Sequence, residues 1–367
     1  MIKIRANEYE PDVVTPPGET LLEAIKMCGF TQEDLAARTG RTPKTINEIV
    51  NGKAPITTDT ALQFERVIGV PAEFWNNRER KYRESLARAE ERRRLEEEVE
   101  WLSRFPVNAM VKLGWLRRAS DKVDQIRELL NFLGVASPGS WDRFFSGIQV
   151  SYRKPATLKA DPFALAAWLR KGDIDAQNIE CRPYDRTEFR RGLIQVRALT
   201  TAEPSEFQQR IVEICAVCGV AVVFVPELPN IRVSGATRWF SPKKAVIQVN
   251  LRYKTDDHFW FTFFHEAGHV LLDSKKEIFV DSEKFEGDYE EAANRFATEQ
   301  LIPQLVLRSF VTSTPRMSKE AIIRFARDQG IAPGIVVGQL QHWGYLPYKH
   351  CNSLKRKFTW GKGREEL

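Results

Sequence analysis

His265-Glu266-Ala267-Gly268-His269 places two imidazoles four residues apart with a carboxylate beside the first. On an α-helix, residues i and i+4 share a face, so both rings can reach one cation while Glu266 leans over a water molecule held there. The chemistry open to that set is hydrolysis: a divalent ion acidifies water and polarises a carbonyl, and the carboxylate moves the proton. With five histidines and 49 acidic residues in the chain, chance gives a His-acid-x-x-His pattern only about 0.01 times. The competing reading is two core histidines satisfied by hydrogen bonds, with Glu266 on a solvent-facing edge. Against it, the flanks Phe259 to Phe264 and Val270 to Leu272 are apolar on every helical face, which buries the helix and makes an uncompensated carboxylate costly.

A catalytic metal site takes three protein ligands and leaves one position open. Residues 287–297 read as a second helix, with Asp288 as N-cap, Glu291 completing a capping box, and Pro303 as the stop. Glu290 shares a face with Ala293 and Ala297, small residues that let the two helices approach, and is the expected third ligand. Its plain alternative is a solvated helix carboxylate.

Together His265-Glu-Ala-Gly-His269, Glu290-x-x-Ala293-Asn294-x-Phe296-Ala297 and Leu301-Ile302-Pro303 resemble the ImmA/IrrE family of metallopeptidases, over roughly the last 160 residues. Val220 to Val225, Gly235 and Ala245 to Asn250 fit the segments that precede the metal-binding helix in that family. The family often has a second acid where Ala292 stands. The resemblance implies Zn²⁺, with Mn²⁺ as the alternative ion, held by His265, His269 and Glu290. It implies Glu266 as the proton carrier and a repressor-like protein, rather than a small peptide, as substrate. Val246, Gln248 and Asn250 alternate with Ala245, Ile247 and Val249, either as an edge strand that pairs with an extended substrate or as a plain core strand. The group that stabilises the oxyanion stays open among His342, Tyr345, Tyr289 and Arg295.

A second signal lies at the other end. Gln32 to Asn51 fits a helix-turn-helix: Ala36 sits where the helices cross, Gly40 makes the turn, Thr42 caps the second helix, Pro43 starts it, and Ile46 and Ile49 face inward. Its outer face then presents Thr42, Lys44, Thr45, Asn47 and Glu48 to a major groove, with Gln32, Asn51 and Lys53 toward phosphate. Glu48 is the departure, since it repels phosphate. The alternative is a helical hairpin without a DNA role. Pro17 to Glu23, Asn51 to Thr57 and Phe74-Trp75 extend the pattern, and residues 15–83 resemble the XRE-type domain of HigA-like antitoxins. That resemblance implies five helices, the last two at Thr58 to Ile68 and from Pro71 onward, and a homodimer on paired half-sites of a double-stranded operator.

The expected fold class is α+β and mostly helical: a five-helix helix-turn-helix domain at 1–80, a charged linker helix at 81–104, and a helical middle domain at 105–200. A zincin-like domain with a small sheet follows at 201–348, then a mobile basic tail at 349–367. Turns are expected at Ser137-Pro138-Gly139 and Arg182-Pro183. Cys215 and Cys218 form a C-x-x-C amid Ile211, Ile214 and Val217 at helical spacing, which favours two core thiols over zinc or redox chemistry. A net charge of +6 favours an anionic partner. The first ten residues contain no apolar run and no stretch is long enough for a bilayer, so a cytoplasmic protein without a membrane partner is expected. Two functions compete. One is a DNA-binding regulator with a zinc endopeptidase that cuts a regulator or toxin-antitoxin partner. The other is a non-catalytic antitoxin-like repressor whose metal site is structural or vestigial.

Overall fold

The structure, a computed structural model, describes residues 15–151, 161–272 and 286–361. Its contacts divide the chain into two units, before and after the Val99–Glu100 bond.

The first unit contains α1 (Pro17–Met27), α2 (Gln32–Thr39), α3 (Pro43–Val50), α4 (Thr58–Ile68) and α5 (Ala72–Glu97). Local chemistry starts and stops these helices where the sequence says it must. Thr31 Oγ1 accepts the Asp34 amide while the Asp34 carboxylate accepts from the Thr31 amide, closing a capping box on α2. Gly40 ends α2 in the left-handed region at φ 66°, and Thr42 caps α3 with Pro43 in its first turn. Leu21, Leu35, Ala36, Ile46 and Phe64 close the core. The charged stretch after residue 80 is the continuation of α5, laced by pairs such as Arg88–Glu84 and Arg93–Glu97. Exposed pairs of this kind add only a few tenths of a kcal/mol each, so they support the helix without fixing a partner for it.

The second unit begins with α6 (Val107–Lys112), α7 (Lys122–Leu133), α8 (Pro138–Ser151), α9 (Pro162–Gln177), α10 (Arg186–Ala198) and α11 (Pro204–Ala216). Strands β1 (Val220–Phe224), β2 (Gly235–Ser241) and β3 (Lys244–Val249) follow, then α12 (Asp256–Leu272), α13 (Glu286–Leu301), α14 (Gln304–Ser313), α15 (Lys319–Gln329) and α16 (Pro333–His342). The sheet order is β1-β3-β2, with β1 parallel and β2 antiparallel to β3. Alternation along β3 sends Gln248 to one face, where its amide donates to the Trp168 carbonyl of α9 at 2.7 Å. Ile247 and Val249 point the other way, into a core with Phe263 and Phe264 of α12.

One open alternative is decided here and three expectations change. The strand at 245–250 is the central one, buried along its length, so an extended chain cannot pair with it; β2 is an edge instead. The helices expected as a middle domain at 105–200 share one unit with the sheet: Trp168 Nε1 donates to the Val225 carbonyl at 3.1 Å, and Arg197 donates to the carbonyls of Leu301 and Gln329. The reason is that a sheet apolar on both faces needs a helical layer on each. Ser137-Pro138-Gly139 begins α8 rather than making a turn, because Ser137 Oγ accepts the Ser140 amide and Pro138 suits a first helical position.

The basic segment after residue 349 is not free either, up to residue 361. Lys357 bridges to Thr255, the Asp256 amide donates to the Arg356 carbonyl at 3.0 Å, and Phe358 enters the core at 2% exposure. Cys215 and Cys218 are buried free thiols, and burial pushes both away from the thiolate form, which agrees with a packing role.

Candidate metal centre

α12 is apolar all round, with Phe259, Trp260, Phe263 and Phe264 at 3% exposure or less, so the pattern that buries the helix also takes its polar residues out of water. The helix approaches α13 very closely. A Cβ on Gly268 would lie 3.2 Å from Ala293 Cα, and Ala293 and Ala297 are fully buried between the two helices. Small residues on both sides therefore bring Glu290 within reach of the histidines.

His265 Nε2 lies 3.1 Å from His269 Nε2 and 3.3 Å from Glu290 Oε2, and His269 Nε2 lies 3.5 Å from Glu290 Oε1. One ligand atom from each residue can be chosen with all three within 4.8 Å of one another. Ligands at 2.0–2.1 Å from one tetrahedral ion stand about 3.3 Å apart, so the donor set fits a zinc-sized cation. The His side chains are 15% exposed and Glu290 46%, leaving the cluster open to solvent on the Glu290 side.

Asn294, one turn beyond Glu290, had no assigned role in the sequence, although its i+4 spacing puts it on the same face. Its Oδ1 lies 2.9 Å from His265 Nδ1. When Nδ1–H donates there, Nε2 keeps its lone pair for a metal. Burial opposes a charge on His265, but the hydrogen bond and charge of Glu290, together with Glu266 and Asn294, outweigh it and hold its pKa above the ordinary value.

Glu266 is 5% exposed, and its Oε2 accepts from Thr237 Oγ1 of β2 at 2.8 Å. The Thr237 contact has no local sequence signal. Asp288, expected as the N-cap, lies inside α13, which is described from Glu286 onward, and the capping box expected of its side chain lies outside the described residues. Of the residues considered for the oxyanion, Arg295 and His342 line a cavity of about 600 Å³ between α12, α13 and α16. That cavity meets the centre only through Phe261 and Asn294; its lining includes none of His265, Glu266, His269 and Glu290. Tyr345 is 40% exposed beyond the end of α16, and Tyr289 precedes Glu290 on α13.

In the first unit, Thr42, Lys44, Asn47 and Asn51 are exposed on or beside α3, while Thr45 and Gln32, the latter opening α2, are half-buried. Thr42 Oγ1 accepts the Thr45 amide at 3.1 Å, and Asn51 Nδ2 donates to Asn47 Oδ1 at 2.8 Å. Lys44 Nζ stands 3.9 Å from Glu48, which softens the repulsion Glu48 would offer to phosphate. Among the described residues no helix is long and apolar enough to cross a membrane.

Comparison with known proteins finds a family match in each unit. Residues 21–75 match the family described as helix-turn-helix, and residues 219–331 match the IrrE N-terminal-like domain. Over 67 residues the chain is 40% identical to the virulence-associated protein I of Dichelobacter nodosus, which covers 18% of this chain and 62% of that protein. The chain thus spans less than two thirds of that relative's length. At one end, then, this chain carries a helix-turn-helix domain, and at the other a domain of the IrrE N-terminal-like, peptidase-type family.

Proposed function

We propose that this protein is a DNA-binding regulator whose second unit is a zinc-dependent endopeptidase acting on a partner protein. The observation that carries the enzymatic half is the convergence of His265 Nε2, His269 Nε2 and Glu290, each imidazole 3.3–3.5 Å from one oxygen of the carboxylate, with Glu266 buried in the same helix beside His265. A closed structural site takes four protein ligands and has no use for an adjacent buried carboxylate.

His265, His269 and Glu290 would hold the ion, and Asn294 fixes the His265 tautomer that ligation requires. The ion, when bound, supplies Lewis acidity toward a peptide carbonyl and makes water easier to deprotonate. Glu266 accepts the proton of the attacking water and returns it to the departing amine nitrogen, as general base and then general acid. The low exposure of Glu266 keeps bulk water from competing for that proton.

In the first unit the exposed face of α3 supports binding to a major groove, with Thr42, Lys44, Thr45 and Asn47 toward the groove and Gln32, Asn51 and Lys53 toward phosphate. A homodimer on paired half-sites and Zn²⁺ as the resident ion, with Mn²⁺ second, belong to the same proposal.

The test is digestion of a folded whole-cell protein extract by the zinc-loaded full chain and by Glu266→Gln, new chain termini being read by mass spectrometry, with metal content measured for both. Turnover by the wild type alone, at equal metal content, is expected. Cleavage by both forms, or by neither, overturns the enzymatic half and leaves a repressor with a non-catalytic metal site.

A further inference from the structure

Thr237 lies on β2 with its hydroxyl turned toward α12. Its Oγ1 is 2.8 Å from Glu266 Oε2 and 3.0 Å from the Glu266 carbonyl oxygen. A hydroxyl has one proton to give, and a carboxylate is the stronger acceptor, so the donated bond falls on Oε2. The second carboxylate oxygen is confined differently. Gly235 sits two residues earlier on the same face of β2, and a Cβ there would come within 2.6 Å of Glu266 Oε1 and 2.8 Å of Thr262 Cγ2. One oxygen is therefore tied to the strand while the other is flanked by bare backbone that only glycine allows.

The next residue fastens the strand from behind. Arg238 points to the opposite face, where Nε donates to Asp173 Oδ1 at 2.6 Å and Nη2 donates to the Leu169 carbonyl at 3.1 Å. Both partners belong to α9, outside the segment that matches the IrrE N-terminal-like domain. Arg238 is only 14% exposed, so the pair is shielded from competing water.

Building on the endopeptidase reading, we propose that Thr237 is the positioning residue for Glu266, and that the Asp173–Arg238 pair fixes the strand that carries it. Thr237 restrains the Glu266 side chain through Oε2 and leaves Oε1 as the oxygen that takes the proton of the reacting water, a restraint that neither the apolar flanks of α12 nor the metal ligands provide. Because the anchor of β2 comes from α9, the precision of the catalytic base depends on a helix outside the family domain. A base displaced from hydrogen-bond reach of its proton loses much of its contribution while substrate and metal still bind.

Zinc-loaded full-length wild type, Thr237→Val, Thr237→Ser, Asp173→Ala and Glu266→Gln are compared in three measurements: kcat and KM on pooled fluorescence-quenched peptides, Zn²⁺ affinity by chelator competition, and affinity for acetohydroxamic acid. That chelator passes its proton to a nearby base on binding, so it reports on Glu266 without turnover. Thr237→Val is nearly isosteric and should lower kcat about ten- to a hundredfold, with KM and Zn²⁺ affinity held within about twofold. It should also weaken acetohydroxamic acid binding in the same direction as Glu266→Gln. Thr237→Ser should restore most of both losses, and Asp173→Ala should show a smaller loss of the same kind.

Wild-type kcat and acetohydroxamic acid affinity in Thr237→Val, or failure of Thr237→Ser to rescue, would overturn the role of Thr237. An Asp173→Ala variant indistinguishable from wild type would remove the anchor from the proposal. If the wild type cleaves none of these short peptides, the endopeptidase reading still rests on the protein digestion above, and the acetohydroxamic acid series alone decides whether Thr237 positions Glu266.

Discussion

Lys355 Nζ stands 2.6 Å from Asp257 Oδ2 at the first turn of α12, with the two side chains only 12% and 8% exposed. The pair ties the segment after α16 to the helix that carries His265, Glu266 and His269. Gly338 of α16 closes the space on the other side, since a Cβ there would fall 2.7 Å from Asp257 Cβ.

Removing Lys355 leaves a buried carboxylate without its partner. Lys355→Met should destabilise the second unit by about 3–5 kcal/mol, whereas Asp257→Asn added to it should recover most of the loss by removing the charge. Urea unfolding followed by tryptophan fluorescence checks this, and equal stability of single and double variants would contradict it.

Asp256, beside it, is fully buried, and burial raises its carboxyl from 3.8 to about 6, helped by the Asp257 charge and opposed by the Arg356 contacts. The folded chain therefore keeps this proton to higher pH than the unfolded chain, and stability falls as pH rises from about 4 to about 6, then levels off. The change is worth about 3 kcal/mol. Asp256→Asn retains an acceptor for the Asp257 amide but cannot ionise, so it should be the more stable form at neutral pH and converge with wild type near pH 4. A difference between the two that stays constant across that range would exclude Asp256 as the source.

Asn294→Leu removes the acceptor that orients His265 but touches no ligand atom. Zn²⁺ affinity should fall about 10- to 100-fold, with the melting temperature of the metal-free chain little changed. Calorimetric titration with Zn²⁺ measures it; unchanged affinity would mean that Asn294 does not set the ring.

On a duplex selected from a random library, Asn47→Ala should cost about 1–3 kcal/mol and do so only on the preferred sequence. Lys53→Ala should weaken all duplexes alike and reduce the slope of log affinity against log salt by about 1. Fluorescence anisotropy at several salt concentrations separates the two, and identical behaviour of both variants would argue against base reading by α3.

Features set by near neighbours were legible in the sequence. Thr42, Pro43 and Gly40 bounded α2 and α3 because caps and left-handed turns act over three or four residues. The convergence of His265, His269 and Glu290 was legible because helix periodicity fixes which residues share a face, and the place of Ala293 because small side chains at that period permit close approach. Contacts made across the fold were not legible. Thr237 meets Glu266 across 29 residues and Gln248 meets the Trp168 carbonyl across 80, and no local period encodes either. Nor could alternation along residues 245–250 reveal that β3 is central, for a strand's own pattern says which faces are buried but not which neighbours pair with its edges. The basic segment after residue 349 read as solvated because charge in isolation favours water. Only the folded chain brings Asp257 and Asp256 close enough for Lys355 and Arg356 to leave it.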